Sequence, residues 1–371
     1  MQYAEVYRKR ELGRMKKFAF FLPQFYEIED NNRWWGKGFT EWTNIRNSKS
    51  LYKGHRIQKP LDNSMYYDLL DKKTMQWQTE LMYKYGIEGM IYYHYYFGKE
   101  KMIMEKPAEN LLKWNDIKQP FFFCWANHSF SKVGWLKREI LVEQIYGDVD
   151  EWEKHFNYLL PFFKDDRYVK DDNKPILMLF KSEFSEKNSM CEYFDKRCKD
   201  VGFDGICIIE TYFGIGWPET YEKIRNDRSI CTKYIYIREP NFETCMYEYS
   251  LGKLKYKLKM FRRLLSRIKF TIKPEILDGE TLVKEKNKYE PFGDDIIHGF
   301  SFQWDSTPRH GRRGYVIKPV TKETFDNYMK RVENEKYFFI NAWNEWSEGM
   351  ILEPTDINGY KYLEWVKDWD V

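Results

Sequence analysis

The stretch KYFFINAW, residues 336–343, is a nearly unbroken apolar, ring-rich run, and runs of this kind recur along the chain. The other seven are KFAFFL (17–22), IEGMIYYHYY (87–96), PFFFCWA (120–126), PILMLF (175–180), GICIIE (205–210), TKYIYI (232–237) and IHGFSFQW (297–304). Continuous apolar runs, unlike alternating ones, are typical of strands buried on both faces, as in a parallel sheet. The sequence therefore predicts eight buried parallel strands.

Segments with helical spacing and polar faces separate most of these runs. Examples are DKKTMQWQTELMYKYG (71–86), DEWEKHFNYLLPFF (150–163), EKNSMCEYFDKRCKDVG (186–202) and TKETFDNYMKRVENE (321–335). This eightfold alternation predicts an α/β fold, a single (β/α)8 TIM-type barrel with long loops at its C-terminal face. A doubly wound open sheet is the alternative. No linker or low-complexity tract divides the chain, so we expect one domain over residues 1–371.

Two insertions interrupt the alternation. Residues 26–70 are rich in Trp, Gly and Tyr, and we expect them to form a loop over the barrel mouth. A basic helical insertion around 246–290 contains LGKLKYKLKMFRRLLSRIKF, residues 251–270. Its apolar stripe consists of Leu251, Leu254, Leu258, Phe261, Leu265 and Ile268. Three readings stay open: a barrel helix with a solvated face, a helix on an anionic membrane surface, or a phosphate or nucleic-acid site.

Composition narrows the class of protein and its compartment. An aromatic fraction of 19% favours a ligand that stacks on rings, while a net charge of +4 indicates no nucleic-acid partner. The six cysteines are scattered through mostly apolar segments, as in a reducing cytosol. The apolar run near the amino terminus is too short for a signal peptide, and no run approaches the ~20 residues that span a bilayer. We expect a cytoplasmic protein, with the basic helix as its possible contact to the inner membrane.

Ring and hydrogen-bonding side chains follow five of the predicted strands, at the face where barrel enzymes carry their chemistry. Taken singly, each has a structural explanation, such as a hydrogen-bonded core histidine. Together they describe a cleft for a polyhydroxylated ring. The candidate substrate-binding residues at the strand ends are Gln24, Tyr93, His94, Tyr95, Trp125, Asn127, His128, Trp304, Asp305, Trp343, Asn344 and Trp346. The first insertion adds Trp35, Glu41 and Trp42.

Glu345 and Glu348 are the candidate catalytic pair. A strand that passes into a helical turn places residues i and i+3 on the same side, so both carboxylates face one cavity. Two carboxyl groups in one partly dry site do not both ionise easily, and their roles diverge into acid and base. Glycosidic bond cleavage or formation needs such a pair. The structural alternative makes one of them a charge at a helix N-terminus.

Other chemistries lack their motifs in this sequence. It contains no GxGxxG after a strand, no GxxxxGK[ST] and no GxSxG, and its six histidines have no metal-ligand spacing. The acidic pairs at 165–166 and 171–172 lie among basic residues, as in solvated turns. We therefore expect neither a cofactor nor a metal.

Five blocks resemble the WbsX family of bacterial surface-polysaccharide clusters. They are FAFFLPQFYEIEDNNRWWGKGFTEWTNI, GIEGMIYYHYYF, PFFFCWANHSF, LLPFFKDDRYVKDDNKPIL and INAWNEWSEGMILEP. That family is in turn similar to glycoside hydrolase family 99, the endo-α-mannosidases. The resemblance runs from about residue 17 to 365 and implies a (β/α)8 barrel and a carbohydrate substrate.

The resemblance also implies roles for the two acids. Glu345 would be the base that acts on the 2-hydroxyl of the substrate and closes a 1,2-anhydro sugar. Glu348 would protonate the leaving oxygen and then activate the acceptor, with retention of configuration. Water as acceptor makes a hydrolase, and a sugar hydroxyl makes a transglycosylase or transferase. The sequence departs from the family at His128, where relatives commonly carry a glutamate, and in QWDSTPR (303–309), where they carry a block close to GWDNTPR.

Three functions follow from these observations. The leading one is a carbohydrate-active enzyme of O-antigen or capsule metabolism, within bacterial lipopolysaccharide or surface-polysaccharide biosynthesis, that uses the two glutamates. The second is a glycosyltransferase that acts with an activated sugar donor on a lipid-linked acceptor. The third is a non-catalytic glycan-binding protein that keeps the aromatic cleft.

Overall fold

Eight parallel strands close into a barrel in the computed structural model, which describes residues 14–133, 138–252, 256–261 and 273–369. The strands are β1 (Lys16–Phe21), β2 (Gly89–Tyr96), β3 (Phe121–Trp125), β4 (Lys174–Leu179), β5 (Cys207–Tyr212), β6 (Thr232–Ile237), β7 (Ile296–Phe300) and β8 (Tyr337–Ile340). β1 pairs with both β2 and β8, so this sheet has no free edge. The predicted strands and barrel are confirmed, and the open-sheet alternative is wrong because it requires two edge strands.

Helices follow the barrel strands and cover the outside of the barrel. They are Lys72–Lys84, Lys106–Lys113, Val149–Lys164, Lys187–Asp200, Glu219–Asn226, Asn241–Ser250, Gly279–Lys286, Lys322–Val332 and Lys361–Lys367. The helices that begin after Asp71, Asp148, Asp278 and Thr321 start there because each of these side chains accepts a hydrogen bond from a first-turn N–H. The four helices predicted from the sequence are confirmed.

Short elements extend the loops of the barrel. The first insertion holds the helices Glu29–Trp35 and Glu41–Asn47 and the 3-10 turn Asn63–Met65. Other loops carry the strands Met102–Ile103, Phe130–Val133, Arg138–Val142, Lys170–Asp171, Glu275–Leu277, Trp304–Asp305, Tyr315–Ile317, Asn344–Glu345 and Met350–Ile351. The helix Thr307–His310 and the 3-10 turns Gly311–Arg313 and Trp346–Glu348 complete them.

Much of the predicted basic helix lies outside the described residues, which omit 253–255 and 262–272. Residues 256–261 are helical, with the Leu258 and Phe261 side chains exposed. The three interpretations of the basic helix therefore stay predictions. The single domain over residues 1–371 also stays a prediction. Within the described ranges, no helix combines the length and apolarity needed to cross a bilayer.

Aromatic side chains fill the barrel interior. Phe339 on β8 is fully buried and contacts Phe18, Phe20, Phe122 and Tyr236, with ring centroids 5.1–6.2 Å apart. Such rings supply large apolar surfaces, which accounts for part of the aromatic excess in the sequence.

Phe339→Ala is expected to lower the free energy of unfolding by about 3–5 kcal/mol, because the cavity it leaves is enclosed by four rings. Phe292→Ala is the control, since that ring is half exposed, and we expect it to cost less than about 1 kcal/mol. Urea denaturation of both variants measures this, and equal losses would contradict an aromatic core at this position.

Candidate active site

A cavity of about 540 Å³ opens among the loops at the carboxyl ends of the barrel strands. This volume lies in the range of ligand sites, roughly 300–1,000 Å³. Its lining includes Gln24, Trp35, Phe39, Glu41, Asn44, Tyr93, Tyr95, His128, Phe130, Lys132, Phe180, Phe213, Arg238, Asn241, Trp304, Arg309, His310, Glu345 and Glu348. Rings and charged groups thus share one concave surface.

Glu345 and Glu348 enter this cavity from a single turn after β8. Strand Asn344–Glu345 pairs with Met350–Ile351, and the 3-10 turn Trp346–Glu348 joins them. A 3-10 turn has three residues per turn, so side chains three positions apart lie on the same side. Gly349 closes the turn at φ 63°, a left-handed conformation that glycine adopts without strain. The sequence spacing therefore places both acids in one cavity.

Arg309 contacts three carboxylates at once. Its Nη1 lies 2.5 Å from Glu348 Oε1, while its Nη2 lies 3.3 Å from Glu41 Oε2 and 3.8 Å from Glu345 Oε2. The Trp304 indole Nε1 donates to Glu348 Oε2 at 3.2 Å. Glu348 thus has a cation and a neutral donor on its two oxygens, and it is the best-neutralised acid of the three.

Glu345 has a different environment. Its Oε2 is buried and accepts no hydrogen bond from the described residues. Burial, and after it the neighbouring negative charges of Glu348 and Glu41, raise the pKa of Glu345 to about 8, against the opposing effects of Arg309 and Arg238. Near neutral pH, Glu345 therefore carries a proton in the free protein while Glu348 is paired with Arg309.

A buried acid behind the turn fixes its position. Glu353 accepts hydrogen bonds from Gln78 Nε2 at 2.7 Å, Trp346 Nε1 at 2.7 Å and the Tyr67 hydroxyl at 2.8 Å. Asn344 continues the support, because its Oδ1 accepts from Leu22 N at 2.7 Å. The turn is thereby tied to the end of β1 and to the first insertion.

The structure brings nine of the predicted site residues to the cavity. They are Gln24, Trp35, Glu41, Tyr93, Tyr95, His128, Trp304, Glu345 and Glu348. His128, at the family's glutamate position, stacks on Phe180 with centroids 5.0 Å apart. The predicted residues that do not line it are Trp42, His94, Trp125, Asn127, Asp305, Trp343, Asn344 and Trp346.

Strand geometry explains part of this division. Successive side chains of a strand point to opposite faces, so Tyr93 and Tyr95 line the cavity while His94 turns outward. His94 Nε2 lies 3.0 Å from Nε2 of His155, and burial lowers the pKa of His94 to about 3. Trp125 is likewise buried, and its Nε1 donates to Tyr96 O at 2.8 Å.

The other predicted residues outside the cavity hold loops together. Asn127 pairs with the backbone of Lys181 through both its amide nitrogen and its amide oxygen, at 2.8 and 2.6 Å. Asp305 Oδ2 lies 2.8 Å from His55 Nε2. Apart from Asn344, described above, the remaining three are tryptophans: Trp42 packs against Trp346, and Trp343 is fully buried.

Several cavity residues were not among the sequence candidates. Phe180, Phe213 and Arg238 directly follow β4, β5 and β6, so the strand-end criterion applied to these three strands finds them. Arg309 lies in the QWDSTPR block but carries no signal of its own, because its carboxylate partners are distant in sequence. Within the described residues, no group of three or more His, Cys, Asp or Glu is arranged to hold a metal ion.

Fold and site together describe a (β/α)8 barrel with paired acids in a ring-lined cavity at its C-terminal face. Residues 17–366 match the family described as Glycosyltransferase WbsX, and the chain belongs to this family. The protein named "Uncharacterized protein WxcX" in two strains of Xanthomonas campestris pv. campestris is 25% identical over 359 residues. That match covers 93% of this chain and 48% of the relative, so the chain spans about half the length of these curated relatives.

Two solved structures share the fold. An endo-α-mannosidase of glycoside hydrolase family 99 from Bacteroides thetaiotaomicron, in complex with bis-tris-propane, superposes with a TM-score of 0.52 at 11% identity, covering 95% of each chain. A structure described as a glycoside hydrolase-like protein superposes with a TM-score of 0.55 at 12% identity, covering 96% of this chain and 94% of that one. At these identities the likeness extends to the fold.

Glu345→Gln is expected to stabilise the protein more at pH 9 than at pH 6. The pKa of Glu345 is raised on folding, so its contribution to stability is full below the unfolded value near 4.5 and is lost as pH rises toward 8. Gln cannot ionise, so the variant gains about 3 kcal/mol relative to wild type between the two pH values. Glu153→Gln is the control, because Arg197 lowers the pKa of Glu153 to about 2 and it stays ionised throughout. Thermal denaturation that shows the same pH dependence in wild type and Glu345→Gln would contradict a proton on Glu345.

Glu353→Gln is expected to cost about 1–3 kcal/mol of stability at pH 8. Three donors converge on its two oxygens, and an amide offers only one acceptor oxygen, so at least one buried donor loses its partner. Glu364→Gln, on an exposed side chain, is the control with an expected change within about 0.5 kcal/mol. Urea denaturation compares the two. Equal stability would mean that the turn does not depend on this acid.

Proposed function

We propose that this protein is a carbohydrate-active enzyme of bacterial surface-polysaccharide metabolism, which cleaves or forms a glycosidic bond with retention through Glu345 and Glu348. The observation that supports it most directly is that two acids with unlike environments line one ring-rich cavity. Glu345 has a raised pKa and Glu348 is paired with Arg309, and glycosidic chemistry requires two acids whose roles differ in this way. Tyr93, Tyr95 and Trp304 would offer ring faces and hydrogen bonds to a sugar.

The structure of the free protein and the family resemblance assign the proton to different glutamates before the reaction. The resemblance makes Glu345 the base and Glu348 the acid, whereas the environment puts the proton on Glu345. The reaction that the resemblance implies therefore needs this proton to leave Glu345 first. We propose that a sugar entering the cavity separates Arg309 from Glu348, which lets the proton move to Glu348 and leaves Glu345 as the base.

A glycosyltransferase that acts with an activated sugar donor on a lipid-linked acceptor is the second candidate, favoured by the family description as a glycosyltransferase. The same acid pair serves either acceptor, and a lipid-linked glycan would bring the basic helix to an anionic membrane. The proposal places the enzyme in the cytoplasm, in O-antigen, capsule or other lipopolysaccharide-related synthesis. The absence of a disulfide among its six cysteines, all in the described part of the chain, supports a reducing compartment. The absence of detectable turnover of any glycan would leave the third function, non-catalytic glycan binding.

Glu345→Gln and Glu348→Gln are each expected to lower kcat about 10²–10⁴-fold while glycan binding persists, because each removes proton transfer and little contact surface. The substrate is the oligosaccharide or nucleotide sugar that a thermal-shift screen selects, and product analysis separates hydrolysis from transfer. Glu153→Gln is the matched control, since Glu153 is also paired with an arginine but lies on the outer helix Val149–Lys164.

Aryl glycosides with acidic leaving groups distinguish the two roles. Such leaving groups need no proton, so the variant that lacks the acid still releases the aryl group in the first step of the reaction, while the variant that lacks the base does not. Our assignment expects this release in Glu348→Gln. Full turnover by both variants on the natural substrate would refute the proposed mechanism.

A further inference from the structure

Arg238 is a buried cation in the wall of the cavity. It directly follows β6, its residue is 7% exposed, and it lines the same space as Glu345. Its guanidinium lies 4.9 Å from the ring centroids of both Phe20 and Phe180. Nη2 donates to the Tyr93 hydroxyl at 2.7 Å. The side chain is therefore held in place by rings and one neutral acceptor.

No carboxylate among the described residues forms an ion pair with Arg238, and its buried Nη1 has no hydrogen-bond partner there. Burial of an unpaired charge is costly, and cation–π contacts with the surrounding rings offset it only in part. Arg309, on the other side of the cavity, is neutralised by three acids. The two cavity arginines thus differ, because Arg309 is paired with acids whereas Arg238 has no ion pair and an Nη1 group without a partner among the described residues.

We propose that Arg238 binds an anionic group of the substrate, and that this group is the carboxylate of a hexuronic acid residue. The inference rests on the proposed function, because it places the acidic sugar in the cavity where Glu345 and Glu348 act. A guanidinium with one free edge, enclosed by Phe180, Phe213 and Tyr93, suits a single planar carboxylate next to the apolar face of a sugar ring. The chemical class of the substrate is then an acidic glycan.

A phosphate group offers the same anionic oxygens from another source, such as the diphosphate of a sugar nucleotide. Arg238 presents one positive charge and an Nη1 group without a partner among the described residues, whereas a diphosphate carries several negative charges. The carboxylate matches the available donor and charge better. The experiment below separates the two sources.

The test uses pairs of methyl glycosides that differ only at C6, with a carboxylate in one and a hydroxymethyl group in the other, in the gluco, galacto and manno series. Binding to the full chain is measured by ligand-observed NMR titration. In at least one series we expect the uronide to bind about 10–100-fold more tightly, the range of a hydrogen bond to a charged group. Arg238→Met should remove this preference, and Arg238→Lys should keep part of it.

Arg225→Met is the matched control. Arg225 also lies over a ring and donates to the hydroxyl of the same tyrosine, Tyr221, but outside the cavity. We expect it to leave the uronide preference unchanged. Circular dichroism and thermal melts check that the variants fold. The preference for uronides over neutral glycosides is measured in the wild-type protein, so that part of the test does not depend on any variant.

The results that would contradict the inference can be told apart from those that would contradict the proposed function. Equal binding of uronides and neutral glycosides to wild type overturns the inference and leaves the proposed function standing, as does a preference that survives Arg238→Met. Arg238-dependent binding of inorganic pyrophosphate without uronide binding overturns the carboxylate assignment in favour of phosphate. The absence of binding by any glycoside, neutral or acidic, overturns the proposed function together with the inference.

Discussion

The guanidinium of Arg309, shared by three carboxylates, is the contact on which the rest of the site depends. Glu41, Glu345 and Glu348 come from two distant parts of the chain and converge on this one cation. A single positive charge cannot balance three negative ones in a partly buried cavity, so one acid keeps its proton. Glu345, which has the longest of the three contacts with Arg309 and whose pKa burial raises to about 8, is that acid.

The turn that carries Glu345 and Glu348 is positioned by hydrogen bonds from residues that do not line the cavity. Glu353 gathers donors from the helix Lys72–Lys84, the first insertion and the turn itself, and Asn344 joins the turn to the end of β1. A buried carboxylate with three donors is costly to desolvate but fixes the geometry of its neighbours. The indole of Trp346 therefore connects Glu353 to the turn that carries the two catalytic candidates.

The sequence contained enough information for the barrel and for part of the site. Continuous apolar runs predict the eight strands because both faces of each are buried. The site residues are harder to predict, because neighbouring residues at a strand end point to opposite faces. Tyr93 and Glu345 line the cavity, whereas the side chains of His94, Trp125 and Asn344 do not. Arg238 could have been found by the same strand-end criterion, whereas the shared ion pairs of Arg309 depend on contacts that only folding creates.

Arg309 and Arg238 connect the two proposals made for this cavity, namely its glycosidic chemistry and its binding of an anionic sugar. If Glu345 were ionised, its charge would partly balance Arg238 across the cavity, and a neutral ligand would suffice. Burial, and after it the neighbouring charge of Glu348, raises the pKa of Glu345, so this acid balances Arg238 little while it holds a proton. Under the proposed function, the proton on Glu345 would serve the reaction and the unpaired guanidinium of Arg238 would bind the anionic ligand, so both proposals depend on the balance of charge in this one cavity.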